Sequence, residues 1–148
     1  MPTTVGTEND ATQLIQNLLH LEHDAIAAYD ATISRLDDSS KRQQVEAFRQ
    51  DHLNHVARLE EIAARLKIEA PSEGDMKQML TTGKVAIAGL GGDDTVLKAM
   101  KTNEDDTVQA YEQASENTVA GTDMRPVFAK ALEDERRHRA WMDSTASS

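Results

Sequence analysis

No cysteine occurs among the 148 residues, and that absence removes several chemistries at once. Disulfide staples, thiolate zinc sites, iron–sulfur clusters and a rubredoxin-type electron-transfer module all need sulfur. Any metal held by this chain is therefore held through nitrogen and oxygen. Aromatic residues contribute only 3% of the sequence against 39% hydrophobic residues in all, which is enough for one domain over residues 1–148 with an aliphatic core. Cationic residues are also scarce: 16 Lys and Arg stand against 26 Asp and Glu, for a net charge of -10. Such a chain repels a phosphate backbone or an anionic membrane surface, so neither nucleic acid nor membrane is expected as a partner. Long hydrophobic runs are missing too. No uninterrupted apolar segment approaches the roughly 18 residues that span a bilayer, and MPTTVGTEND has no basic region followed by an apolar one. The expectation is a cytoplasmic protein.

What is present is helical periodicity. A first pattern runs from Asn9 or Asp10, both good N-caps, to Asp37, with Leu14, Leu18, Glu22, Ala25, Tyr29 and Leu36 on one stripe. A second follows DDSS, where Ser40 and Gln43 have capping-box spacing, and reaches about Lys67. Its stripe is Val45, Phe48, His52, His55, Leu59, Ile62 and Leu66. A third opens after Gly91 and Gly92 with Asp93 as the expected cap, carries Leu97, Met100, Glu104, Val108, Tyr111 and Ser115, and ends near Asn117. The fourth starts near Asp123, accommodates Pro126 in its first turn, where backbone donors are unpaired anyway, and carries Phe128, Leu132, Glu135, His138 and Met142. The bundle is expected to run from about residue 9 to 143, with the polar tail DSTASS frayed.

Two connections are short, around DDSS and TVAGTD, so the helices pair as two antiparallel hairpins. The segment 68–92 between them, roughly 25 residues, is too long for a tight turn and is expected to hold a short helix of its own. The hairpins also repeat one another. EHDAIAAYD from Glu22 matches EDDTVQAYE from Glu104 in Glu, Asp, Ala and Tyr, and DHLNH from Asp51 matches DERRH from Asp134 in Asp and the final His. The fold class expected is all-α, a four-helix bundle with two-fold pseudosymmetry and one long crossover. In it Glu22 should face Glu104, and the His52 and His55 pair should face Glu135 and His138.

Six ionisable groups, Glu22, His52, His55, Glu104, Glu135 and His138, thus lie mid-helix on faces that must be buried. An unpaired buried carboxylate costs several kcal/mol even after relaxation, and no Lys or Arg shares these stripes. One or two divalent cations remove the difficulty. A carboxylate and a histidine three residues apart, as in Glu135-Arg-Arg-His138, point the same way one turn apart and can reach one ion; His52-Leu-Asn-His55 is the all-histidine counterpart.

Glu22, His52-x-x-His55, Glu104 and Glu135-x-x-His138, in this order over four helices with a crossover after the second, resemble the ferritin-like superfamily that includes bacterioferritins and rubrerythrins. More loosely, the chain looks like a small bacterial branch of it, and the resemblance covers about residues 10 to 143. It implies a carboxylate-bridged di-iron site and oxidation of Fe(II) by O2 or peroxide, the work of a ferroxidase-like or peroxidase-like oxidoreductase. A rubrerythrin-type peroxidase would draw electrons from a separate donor, and members often pair as homodimers. The chain departs from the pattern at His52, where the family has Glu. Three carboxylates and three neutral imidazoles leave one positive charge on two divalent ions unmatched, unless Asp51 or a hydroxide contributes. Zinc, or a single iron, suits the extra nitrogen donors equally well. No fifth helix like that of cage-forming ferritins follows, so storage in a shell is not expected. A metal-binding bundle without turnover and a metal-free helical interaction module remain as alternatives to the enzyme.

Tyr29 and Tyr111 each follow a stripe glutamate by seven residues, two turns along the same face. They read equally as catalytic residues that hold a carboxylate or donate an electron, and as core tyrosines with satisfied hydroxyls. His20 and His23 fall off the stripe. Glu60, Glu61, Glu112 and Glu133 read as surface charges. Arg136, Arg137 and Arg139 read as a solvated face that offsets the helix dipole, or that pairs with acids of a second subunit. GLGG near residue 90 has no strand before it and no Lys-Ser/Thr after it, so it is a helix stop and not a phosphate loop.

Overall fold

A computed structural model describes residues 3–70, 87 and 89–147. Among them are four long helices: α1 (Ala11–Arg35), α2 (Ser39–Leu66), α3 (Asp93–Glu116) and α4 (Arg125–Ser147). They pack as a four-helix bundle in which α1 pairs with α2, α3 pairs with α4, and the hairpins meet along α1 with α3 and α2 with α4. This is the ferritin-like layout of two antiparallel hairpins with a long connection between them. The short helix expected within 68–92 falls largely outside the described residues. No helix among the described residues is long and apolar enough to cross a membrane.

The helix ends follow local chemistry. Asp10 caps α1, its side chain accepting the Gln13 amide at 2.8 Å. The cap of α2 is Asp38, which accepts the Lys41 amide at 2.9 Å, rather than the expected Ser40, because the chain turns immediately after Leu36 is buried. Asp93 also departs from expectation. Gly92, with a φ of 87° open to glycine, is the cap of α3 and supplies no side chain. The Asp93 carboxylate instead accepts the amides of Asp37 at 2.8 Å and Asp38 at 3.1 Å, tying the start of α3 to the α1–α2 turn. α4 runs on through Ser147 with Ala146 buried, so most of the tail expected to fray is helical.

Two apolar clusters fill the bundle. One gathers Leu14, Leu18, Leu59, Ile62, Tyr111 and Phe128 at one end. The other gathers Tyr29, Phe48, Leu97, Met100 and Met142 at the opposite end. The stripes are buried as their spacing requires, except Leu66, which is 50% exposed at the end of α2, and Leu132 and Ser115, which are half-buried. The polar positions lie between the clusters, one or two turns from each on every helix.

Candidate metal centre

Glu22 on α1, His52 and His55 on α2, Glu104 on α3, and Glu135 and His138 on α4 all come together at mid-bundle. Five are fully buried and His55 is 5% exposed. They form two overlapping groups in which one nitrogen or oxygen of each residue lies within 4.8 Å of the others: Glu22, His52, His55 and Glu135, and His52, Glu104, Glu135 and His138. His52 and Glu135 belong to both.

The pairing differs from the expected face-to-face arrangement of Glu22 with Glu104. Glu22 spends its two oxygens on the other helix of its own hairpin: Oε1 is 2.7 Å from His52 Nδ1 and Oε2 is 2.9 Å from His55 Nδ1. Glu104 accepts the Tyr29 hydroxyl at 2.5 Å from across the bundle. Thr107 lies 2.9 Å from Glu104 Oε2 and 2.7 Å from Glu135 Oε2. The Thr107 hydroxyl, with one proton to give, thus stands between the two carboxylates and also faces the Glu104 carbonyl oxygen at 3.0 Å. His52 Nε2 and Glu135 Oε1 are 3.4 Å apart and are buried without a hydrogen-bond partner.

Burial opposes charge on each group, and the neighbours decide which charges survive. Burial alone would raise the Glu22 carboxyl, but the His52 and His55 charges bring it down to about 2. Burial also opposes a proton on His52, yet Glu135 and Glu22 raise it well above the usual imidazole range. Against the same burial, Glu22 raises His55. His138 is lowered by burial, which Glu104 only partly offsets. Glu104 stays well below the carboxylate range in spite of burial, through its bond with Glu135 and through His52. Burial, and then the Glu104 charge, push Glu135 well above that range. Burial and these neighbours thus favour protons on His52, His55 and Glu135 in the absence of metal, side chains whose donor atoms a cation would take.

An outer layer supports the histidines. His55 Nε2 is 2.8 Å from Asp134 and His138 Nε2 is 2.8 Å from Asp51. Each aspartate belongs to the hairpin opposite its histidine. Arg137 donates to both aspartates at 2.9 Å, and Lys130 donates to Asp134 at 2.8 Å. Burial would raise the Asp134 carboxyl, but Lys130, His55 and Arg137 hold it at about 2. Asp51 thus stands behind His138 rather than among the inner donors. A groove of about 830 Å³, lined by Asp51, Asn54, His55, Lys130 and Asp134 among others, opens beside this layer between α2 and α4.

Residues 10–117 match the family described as Domain of unknown function (DUF2383). The chain belongs to this family. No curated protein and no solved structure matches it. The matched region contains α1, α2 and α3, so it includes Glu22, His52, His55 and Glu104 but stops short of Asp134, Glu135 and His138.

Spacing pointed to all six inner groups, and missed Thr107, Asp134 and Arg137 as parts of the cluster. Asp51 and Asp134 left a trace in the DHLNH and DERRH repeat; Thr107 left none. Tyr29 reaches the cluster, whereas the buried Tyr111 hydroxyl has no hydrogen-bond partner and its ring lies 6.0 Å from that of His55. Burial raises both phenols well above their usual value. His20 and His23 are half-buried outside the cluster. Arg136 and Arg137 are exposed and Arg139 is half-buried, the solvated face that was expected, and each also pairs within the chain: Arg136 with Glu112, Arg137 as above, and Arg139 with Asp105.

Proposed function

We propose that this chain is a non-haem metal protein in which the six buried donors hold a dinuclear iron centre that reacts with O2 or peroxide, in the manner of a ferroxidase or peroxidase. The observation that carries this reading is the overlap of the two donor groups at His52 and Glu135. Two neighbouring cation positions with common ligands are what such an overlap provides. The chemistry of the donors fits. Carboxylate and imidazole suit iron, and the unpartnered His52 Nε2 and Glu135 Oε1 are buried polar atoms of the kind that ligation satisfies.

Held by these six residues, a pair of iron ions would supply the electrons that O2 or peroxide takes, with a separate donor needed to return them. The chain's own residues do the rest. Tyr29 fixes the orientation of Glu104 through its hydroxyl. The apolar clusters on either side exclude bulk water, which strengthens every electrostatic interaction inside. Tyr111, its ring 6.0 Å from that of His55, is the residue this reading assigns to pass an electron.

Zinc, or one iron without turnover, is the second reading. The observation favouring it is the third imidazole, since nitrogen-rich donor sets suit zinc as well as iron. An anaerobic Fe(II) titration of the metal-stripped protein separates the readings. Two equivalents per chain, abolished by Glu135→Ala, support the dinuclear centre. One equivalent, or binding with no uptake of O2 or peroxide, favours the second reading. No binding leaves a metal-free helical interaction module.

A further inference from the structure

The three histidines of the cluster differ in what their ring nitrogens face. His55 and His138 each have Nε2 taken by an outer aspartate at 2.8 Å, which leaves only Nδ1 for the interior. His52 has no carboxylate behind it. Its Nδ1 lies 2.7 Å from Glu22 Oε1, in the group that contains His55. Its Nε2 lies 3.4 Å from both Glu104 Oε1 and Glu135 Oε1, in the group that contains His138. The ring is fully buried and stands midway between the other two, with centroids 5.5 Å from His55 and 5.4 Å from His138.

We propose that His52 is a bridging ligand, its imidazolate ring joining two cation positions through Nδ1 on the Glu22 and His55 side and Nε2 on the Glu104 and His138 side. This rests on the dinuclear reading above. The repeat places His52 where the second hairpin has Glu135, and the two side chains bridge differently. A carboxylate presents its two oxygens nearly side by side, whereas an imidazolate presents its two lone pairs on diverging flanks of the ring. On bridging, the ring gives up every N–H proton it carries, two from the imidazolium form, to solvent and becomes an anion. Three carboxylates and one imidazolate then carry four negative charges, matching two divalent cations, so the charge left unmatched by three neutral imidazoles is accounted for. It also explains why, of the three, this histidine lacks an outer carboxylate: an outer partner on either nitrogen would block a cation position, whereas Glu22 at Nδ1 is itself a donor of that position.

The test uses Cu(II) as the probe, added to the metal-stripped full chain, with bound copper counted and its paramagnetic resonance recorded. An imidazolate between two Cu(II) ions couples their spins, so the ordinary signal should grow to one equivalent and then lose most of its intensity at two. His52→Gln should bind one copper, or two with uncoupled spins. Two coppers at full, uncoupled intensity in the unmodified protein would overturn the bridge while leaving the dinuclear reading intact. So would coupling that survives in His52→Gln, which would assign it to Glu135. Saturation at one copper would overturn the bridge and the dinuclear reading together. No copper bound at all would overturn the metal reading itself. The unmodified protein decides the matter even where the variant fails to fold.

Discussion

His138 on α4 meets Asp51 on α2 at 2.8 Å, and the same contact recurs with the hairpins exchanged, His55 to Asp134 at 2.8 Å. Each hairpin supplies the carboxylate that fixes the other's histidine ring. This cross-bracing orients the two Nδ1 atoms toward the interior and joins the halves of the bundle at their polar centre.

Removing either brace should weaken metal binding without dissolving the fold. Asp51→Ala and Asp134→Ala are each expected to lower affinity about 10- to 100-fold, the usual effect of losing a carboxylate behind a metal-bound histidine. Competition titration with a chromogenic chelator measures it. Unchanged affinity in both variants would mean that the rings are held by packing alone.

The metal-free protein should be most stable on the acid side of neutrality. Glu22 is held at about 2 against 4.5 in the unfolded chain, so the unfolded state takes up its proton first and stability drains as pH falls from about 4.5 to about 2. His52 and His55 are raised above 6.5, so their contribution is complete below 6.5 and is lost as pH rises through their folded values. Glu135, also raised, loses its contribution as pH climbs above 4.5. His138, lowered from 6.5, works the other way by penalising acid conditions. Above about pH 6.5 the His138 penalty is gone and the three raised groups act together, so thermal unfolding in chelator should shift to lower temperature as pH rises from there. Bound metal, which replaces those protons, should flatten the alkaline decline.

Gly6 should resist substitution. Its φ is +100°, and an added Cβ would lie 2.4 Å from the Ala110 carbonyl oxygen and 2.7 Å from the Ala114 nitrogen. The N-terminal segment is strapped to α3 there, Gln113 donating to Val5 at 2.7 Å and Asn117 to Gly6 at 2.9 Å. Gly6→Ala should cost about 1–3 kcal/mol, since both the backbone conformation and the close approach are lost. Gly89→Ala, where a Cβ meets nothing within 4 Å, is the control and should be near neutral in denaturant unfolding.

Lys67 invites a stabilising change. It ends α2 in the left-handed region at φ 55°, with the Ile68 amide donating to Ala63 at 2.8 Å and its own amide to Ala64 at 3.3 Å. This is the turn in which glycine is normally found. Lys67→Gly should raise stability by roughly 0.5–1 kcal/mol by relieving the strain of the side chain. A lower denaturation midpoint would show that Lys67 makes a compensating interaction.

Much of the cluster was legible because helical spacing alone assigns a face. Glu22, Glu104, Glu135 and the three histidines share stripes with Leu14, Phe48, Met100 and Phe128, and a stripe that buries one member buries the rest. Thr107 and Arg137 were not legible, because each lies off its stripe and its place in the cluster depends on a partner on another helix, Glu135 for Thr107 and Asp51 for Arg137, as well as on its own-helix neighbours Glu104 and Asp134. Asp93 misled for a related reason: its position fits a cap, but the amides of Asp37 and Asp38, far away in sequence, are the donors that its carboxylate receives.

The sequence by itself determined four amphipathic helices, their pairing into two similar hairpins, and which six groups must share a buried centre, since all of these follow from local periodicity and short turns. Tertiary structure decided how those groups divide. The rotation and axial register of each helix against its neighbours place both nitrogens of His52 inward, put Glu135 in both donor groups, and set Asp51 and Asp134 behind the histidines of opposite hairpins. Those are distances between side chains on separate helices, and no spacing along one helix encodes them.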